Sequence, residues 1–340
     1  MSATAKSLKK PSNVITAAIF LVLLAVPMIV PPFRVQTWAV ILTFALLALA
    51  VDLVWGYTGM LTFGHAAFFG AGAYLTAKLL TEVPAIPSFI VVFIFAPVFA
   101  AALTFSIGWF LFSADISGVY FAIATLIIAI VFERIAGEFT GFLGGFNGLS
   151  GIPPLAIGSF EFSMAMSYYA ALAVLVLVFL GSQYLTNSAF GRVLRGIREN
   201  KERTEFFGYQ TGRYRLIVFT LSGAIAGIGG GLYATIDGFV SPPLLGFVLS
   251  TQAIIWVAVG GRGTLIGALA GALLIQYLEV SLSAALVEWW QFILAVLFII
   301  VVVAAPGGLV GISQKGYGKL RERFQKNAGT TAQAEGEPND

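Results

Sequence analysis

Few side chains in this sequence could do chemistry, and their scarcity narrows the reading. There is one histidine, His65, and no cysteine. A thiolate nucleophile, a disulfide framework and a multi-histidine metal centre are therefore excluded. No complete G-x-x-x-x-G-K-[ST] phosphate loop is present, so ATP hydrolysis is not expected of this chain alone. Thr251, Gln252 and Trp256, running into Gly260-Gly261-Arg262-Gly263-Thr264, share only the glycines of such a loop. No catalytic residue, metal or organic cofactor is expected. What remains is a set of polar groups and glycines in apolar surroundings, which suits moving a solute better than making bonds.

Three constellations stand out. Asp52, Trp55, Gly56, Tyr57, Thr58 and Gly59 are followed by Thr62, Phe63, Gly64, His65 and Gly70. This density of glycine predicts close backbone approach or a broken helix, and irregular backbone inside a membrane must be buried in protein or line a cavity. His65 is either a structural hydrogen-bonder or part of a path. Gly144-Gly145-Phe146-Asn147-Gly148 predicts tight turns, either a plain external loop or a nest of N–H groups for an anion. In the segment 187–213, Gly191, Arg192, Arg195, Arg198, Glu199, Asn200, Glu202, Arg203, Phe206 and Phe207 form one short amphipathic helix, with Gly208 as a C-terminal cap. It is either a basic anchor or a docking helix for a cytoplasmic partner. Its mixed charge and two Phe favour docking.

These residues must be positioned by membrane helices. Of 340 residues, 59% are hydrophobic and 10% charged, with mean hydropathy +0.93. A water-soluble surface could not be built from that composition. Apolar runs stand at about 14–31, 36–55, 60–80, 87–112, 116–137, 163–186 and 214–236, with a stretch 247–281 broken at Gly260–Gly263 and a last run at 286–305. The first is read as a retained helix rather than a signal peptide. Fifteen of the nineteen Lys and Arg residues fall in the first ten residues, in 187–215 and beyond 314, and all three segments should be cytoplasmic. That parity requires the broken stretch to be two short spans or a re-entrant hairpin. Two spans give an all-α polytopic bundle of about ten, and five plus five would permit an inverted repeat with broken helices. The expected organisation is a cytoplasmic tail at 1–13, a permease domain at 14–311 and a largely disordered cytoplasmic tail at 312–340.

The residues then resemble a known family. Gly56-Tyr57-Thr58-Gly59 with the run from Phe63 to Tyr74, Gly145-Phe146-Asn147-Gly148-Leu149, Phe190-Gly191-Arg192 with Ile197-Arg198-Glu199-Asn200, Gly260-Gly261-Arg262-Gly263-Thr264 with Gly267, and Ala305-Pro306-Gly307-Gly308-Leu309 are similar to the LivM-type permease of branched-chain amino acid ABC importers. The resemblance implies a bacterial inner-membrane subunit paired with a LivH-like permease, two cytoplasmic ATPases and a periplasmic binding protein, working by alternating access. Lipid is the other expected partner, and nucleic acid is not. The solute would be a branched-chain or other amino acid, or else urea or a short amide, as in a sister group. The expected path passes Thr62, Gly64, His65, Asn147, Gln252, Trp256 and Gly263. A passive channel is a rival. So is an ion-coupled transporter, but Asp52, Glu133, Glu279 and Glu288 fall near run ends instead of at the midplane such a mechanism needs.

Overall fold

The structure, a computed structural model, describes residues 11–285 apart from 159, together with 289, 292, 293, 296 and 308. The expected last run at 286–305 and the tail 312–340 lie wholly or largely outside the described residues, as does most of 1–13. The longer helices are α1 (Pro11–Ile29), α2 (Pro32–Gly56, closing in a π-helical turn over Asp52–Gly56), α3 (His65–Glu82), α4 (Ser88–Ser113) and α5 (Gly118–Glu138). After a short α6 (Thr140–Leu143) come α7 (Met164–Asn187), α8 (Ala189–Glu199), α9 (Lys201–Phe206), α10 (Thr211–Asp237), α11 (Phe247–Gly260) and α12 (Leu265–Ala285). This is an all-α membrane protein. Among the described residues, six helices are long and apolar enough to cross a membrane: α2, α4, α5, α7, α10 and α12.

The expected ten spans are thus matched only in part, for local reasons. The run at 60–80 becomes helical only at His65, because 59–64 is not helical. The run from 247 is cut to fourteen residues where Gly261 takes φ +124°. Segment ends gather at two poles. At one pole, Arg198 Nη1 donates to Gly56 O at 2.6 Å, Arg215 Nη2 to Asp115 Oδ1 at 3.0 Å, and Gly263 N–H to Asp52 Oδ1 at 2.7 Å. At the other, Leu149–Ser150 pairs antiparallel with Phe239–Val240, and Ala156 N–H donates to Ser88 Oγ at 2.7 Å.

Helix α10 is the hub, packed against α2, α3 and α4. Its sequence explains why. A Cβ at Gly230 would overlap the carbonyl of Phe69, one at Gly223 the Thr104 hydroxyl, and one at Gly227 the side chain of Ala100. Gly72 of α3 meets the backbone of Gly227 in the same way. Lipid supplies no hydrophobic drive between helices, so close backbone approach through small residues holds them together. Gly227→Val should therefore destabilise the folded chain by about 1–3 kcal/mol. Gly212→Ala, on the same helix with no atom within 4 Å of the added Cβ, should be neutral or stabilising. Thermal unfolding in detergent compares the two, and equal melting temperatures would contradict the packing account.

Candidate functional site

The first site is the break between α2 and α3. Past Thr58, residues 59–64 run non-helically through the interior, and Gly59 takes φ +81°. Each N–H there needs a partner, because no water is available in hydrocarbon. Gly59 N–H donates to Trp55 O (3.1 Å), Met60 N–H to Thr58 Oγ1 (3.3 Å), Phe63 N–H to Thr125 Oγ1 (3.1 Å) and Gly64 N–H to Thr62 Oγ1 (3.3 Å). At the start of α3, Ala66 N–H donates to Ser250 Oγ at 3.1 Å. Hydroxyls from α5 and α11 thus replace the missing helical acceptors.

His65 is fully buried. Its Nε2 lies 2.9 Å from Ser222 Oγ and its Nδ1 3.2 Å from Thr62 Oγ1. Ser222 already donates its proton to Phe219 O, so its oxygen accepts from Nε2–H. Thr62 then donates to Nδ1, and the ring is held as the neutral Nε2–H tautomer. With Phe219 and Phe68 edge-on to it, His65 braces the start of α3 against α10. That geometry is a structural hydrogen-bonder's. Beside the break, Leu61 and Phe63 face Val119, Ala122, Ile123 and Leu126 of α5 across a groove of about 360 Å³.

The second site is a knot at the α8 pole. Asp52 is fully buried; its Oδ1 accepts from Gly263 N–H, and its Oδ2 has no hydrogen-bond partner among the described residues. Arg262 Nε donates to Trp55 O at 3.1 Å, and its guanidinium stands 4.8 Å over the Trp55 ring. Arg198 completes the knot through Gly56 O. Gly56 must be glycine, since a Cβ would overlap Asp52 Oδ1 and sit 2.7 Å from Gly263 N. So the segments 56–72 and 251–264 do meet, but through this knot and through Ser250, not around Gln252 or Trp256.

The other expected path residues lie elsewhere. Trp256 is fully buried against Phe44, and Gln252 Nε2 donates to Glu279 Oε1 at 3.3 Å between α11 and α12. Asn147 is exposed in a turn at the opposite pole. The missed participants are Asp52, in the role of acceptor for Gly263, and Arg262, whose charge inside an otherwise apolar stretch was the available signal.

The third site is the basic segment 187–213. It is two helices, not the single one expected. Asn200 leaves helical geometry (φ −160°) and its Oδ1 caps the second by accepting from Arg203 N–H at 2.8 Å. Gly208, at φ +87°, follows the end of α9 as expected. Phe206 and Phe207 are 91% and 66% exposed, and Glu199, Glu202 and Arg203 are exposed. Gly191, by contrast, is buried against the Thr186 backbone. Arg192, Glu199, Asn200, Arg203 and Phe207 line an open groove of about 830 Å³.

The model of the family "branched-chain amino acid transport system / permease component" matches residues 33–302. The chain is 27% identical over 325 residues to the high-affinity branched-chain amino acid transport system permease protein LivM of Escherichia coli K12, covering 87% of this chain and 75% of that one. It is 25% identical to LivH of Salmonella typhimurium (79% and 91% covered) and 25% identical to BraD of Pseudomonas aeruginosa (79% and 92%). No solved structure matches it.

The knot makes a stability prediction. Asp52→Leu leaves the partly buried Gly263 N–H without its acceptor, which should cost about 1–3 kcal/mol. Asp52→Asn keeps an oxygen in place and should recover most of that loss. If the Leu variant melts like the parent in detergent, Asp52 does not tie α2 to the α11–α12 turn.

Proposed function

The chain belongs to the family of branched-chain amino acid transport permease components, and from that premise we propose that it is one membrane subunit of an ATP-driven importer carrying branched-chain or related amino acids inward by alternating access. That these relatives are branched-chain amino acid permeases favours an amino acid over urea. The apolar groove between Leu61, Phe63 and the α5 face suits an aliphatic side chain. Relatives of both LivM and LivH type support a second, LivH-like permease as partner. Two cytoplasmic ATPases and a periplasmic binding protein complete the proposed assembly, and ATP hydrolysis belongs to the ATPase chains.

One observation carries the coupling mechanism: Arg198, on a helix whose outer face is open to a partner, donates directly to the Gly56 carbonyl at the mouth of the break. A displacement of α8 and α9 by an ATPase is thereby delivered to residues 56–64. The coupling surface comprises Arg192, Glu199, Asn200, Glu202, Arg203, Phe206 and Phe207, with Gly191 and Gly208 setting the ends. The path follows Thr62, Gly64 and the groove along α5, with Gly263 as part of its gate.

The concentration of basic residues favours a cytoplasmic α8 pole, with both termini cytoplasmic and ten spans over 14–311. Cysteines introduced into this cysteine-free chain test the orientation. An impermeant thiol reagent should label Asn147→Cys from outside intact cells and leave Glu202→Cys unlabelled; the reverse pattern would overturn it.

Exposed aromatic anchors contribute about 2 kcal/mol or more each at interfaces. Phe206→Ala with Phe207→Ala should therefore release the ATPase from the purified assembly and abolish ATP-dependent leucine uptake in vesicles, with membrane insertion unchanged. Parental ATPase co-purification and uptake would remove the docking role. Uptake of urea but not leucine by the parental assembly would overturn the substrate class.

A further inference from the structure

A second cavity, of about 280 Å³, is used neither by the break nor by the docking surface. It lies between α3, α4 and α5 in the half of the bundle away from α8. Helix α3 packs against both α4 and α5, whereas α4 and α5 barely touch, so the cavity opens sideways between them. Phe99, Ile135 and Phe142 at its rim are exposed. Of the lining side chains, only those of Tyr74 and Lys78 carry polar atoms.

Those two are informative. Tyr74 is 4% exposed, and its hydroxyl has no hydrogen-bond partner among the described residues. A buried hydroxyl left unpaired is costly, so an acceptor is called for. Lys78 lies one helical turn further toward the membrane surface on the same face, about 5–6 Å away by helix geometry. Its ammonium stands 4.5 Å from the Phe142 ring centre and pairs with Glu82, but it has three donors and Glu82 is the more exposed partner. The order from depth to surface is carbon lining, hydroxyl donor, cation.

We propose that this slot binds a phospholipid of the leaflet opposite the α8 pole. One acyl chain fills the cavity, an ester carbonyl accepts from the Tyr74 hydroxyl, and the phosphate sits on Lys78. A lateral opening faces hydrocarbon and not water, and the polar groups match the sequence of atoms along a glycerophospholipid. The site is independent of which solute is carried.

The chain, co-expressed with its second permease subunit, is reconstituted into vesicles of phosphatidylglycerol and phosphatidylcholine containing a phospholipid with a photoactivatable acyl chain. Label should concentrate on peptides 96–104 and 131–136. Leu103→Trp fills the slot; excluding roughly two methylene groups should lower that label about tenfold. Tyr74→Phe keeps the shape, so it should lower the label while leaving the melting temperature of lipid-free protein unchanged or raised. Label spread evenly over these peptides and α7, or unchanged in both variants, would overturn the site. So would a photo-crosslinker at Phe99 that captures the second permease chain and no lipid, since a protein side chain would then cover the slot.

Discussion

The close approach of α10 to α3 and α4 is the constraint on which the rest depends. In a bilayer, helices gain little by hiding from lipid, so the bundle coheres where backbones can come near enough for dense dispersion contacts. Gly223, Gly227 and Gly230 on α10 and Gly72 on α3 remove the side chains that would prevent it. This contact fixes α3 in depth and rotation. It brings His65 to Ser222, and so determines where the irregular segment 59–64 must run.

That segment would be ruinous in hydrocarbon if left unpaired, and its partners come from several helices. Thr58 and Thr62 serve locally, Thr125 comes from α5 and Ser250 from α11. The break is thus cross-braced and not loose, and it changes state only as its neighbours move. The knot of Asp52, Gly56, Arg198, Arg262 and Gly263 joins it to α8 and to the α11–α12 turn. Inverting a two-state equilibrium from 1:99 to 99:1 takes about 5.5 kcal/mol of differential interaction. In the proposed importer that energy comes from the ATPase chains and enters through α8 and α9.

Much of this was legible in the sequence, because it depends on local pattern. Apolar runs located the helices, glycine clusters located the breaks at 59–64 and 261–264, and charge marked the segment that forms α8 and α9. What escaped was tertiary pairing. Trp256 looks equally polar-tipped whether it lines a path or packs on Phe44, and only the fold decides. Gln252 finds Glu279 twenty-seven residues away, on the next helix. Asn200 reads as one more polar residue of an amphipathic helix, yet its side-chain cap on Arg203 N–H ends α8 and begins α9. The role of Asp52 depends on a backbone N–H more than two hundred residues distant, which no spacing rule encodes.

Two of the ties that hold α8 and α9 to the bundle differ in kind. Arg198 to Gly56 O is partly buried. Asp115, in the turn after α4, accepts from Lys201 of α9 and from the buried Arg215 of α10. The hydrogen bond from Lys201 and then that from Arg215 hold the Asp115 carboxyl below its ordinary range. A depressed carboxylate pKa gives a contribution that is present above the unfolded value and lost as pH falls through the folded one. Asp115 is 69% exposed, so its pair with Lys201 is screened by salt and weak at any pH near neutrality. The start of α9 is tied through Lys201 to Asp115, and its other end, where Phe206 and Phe207 project, through Glu205, which accepts from Thr211 Oγ1 at the start of α10. The C-terminal end of α8 is tied through Arg198, whose bond to Gly56 O is partly buried. In the proposed assembly, a partner that displaces α8 and α9 acts on Arg198, the point joined to the break.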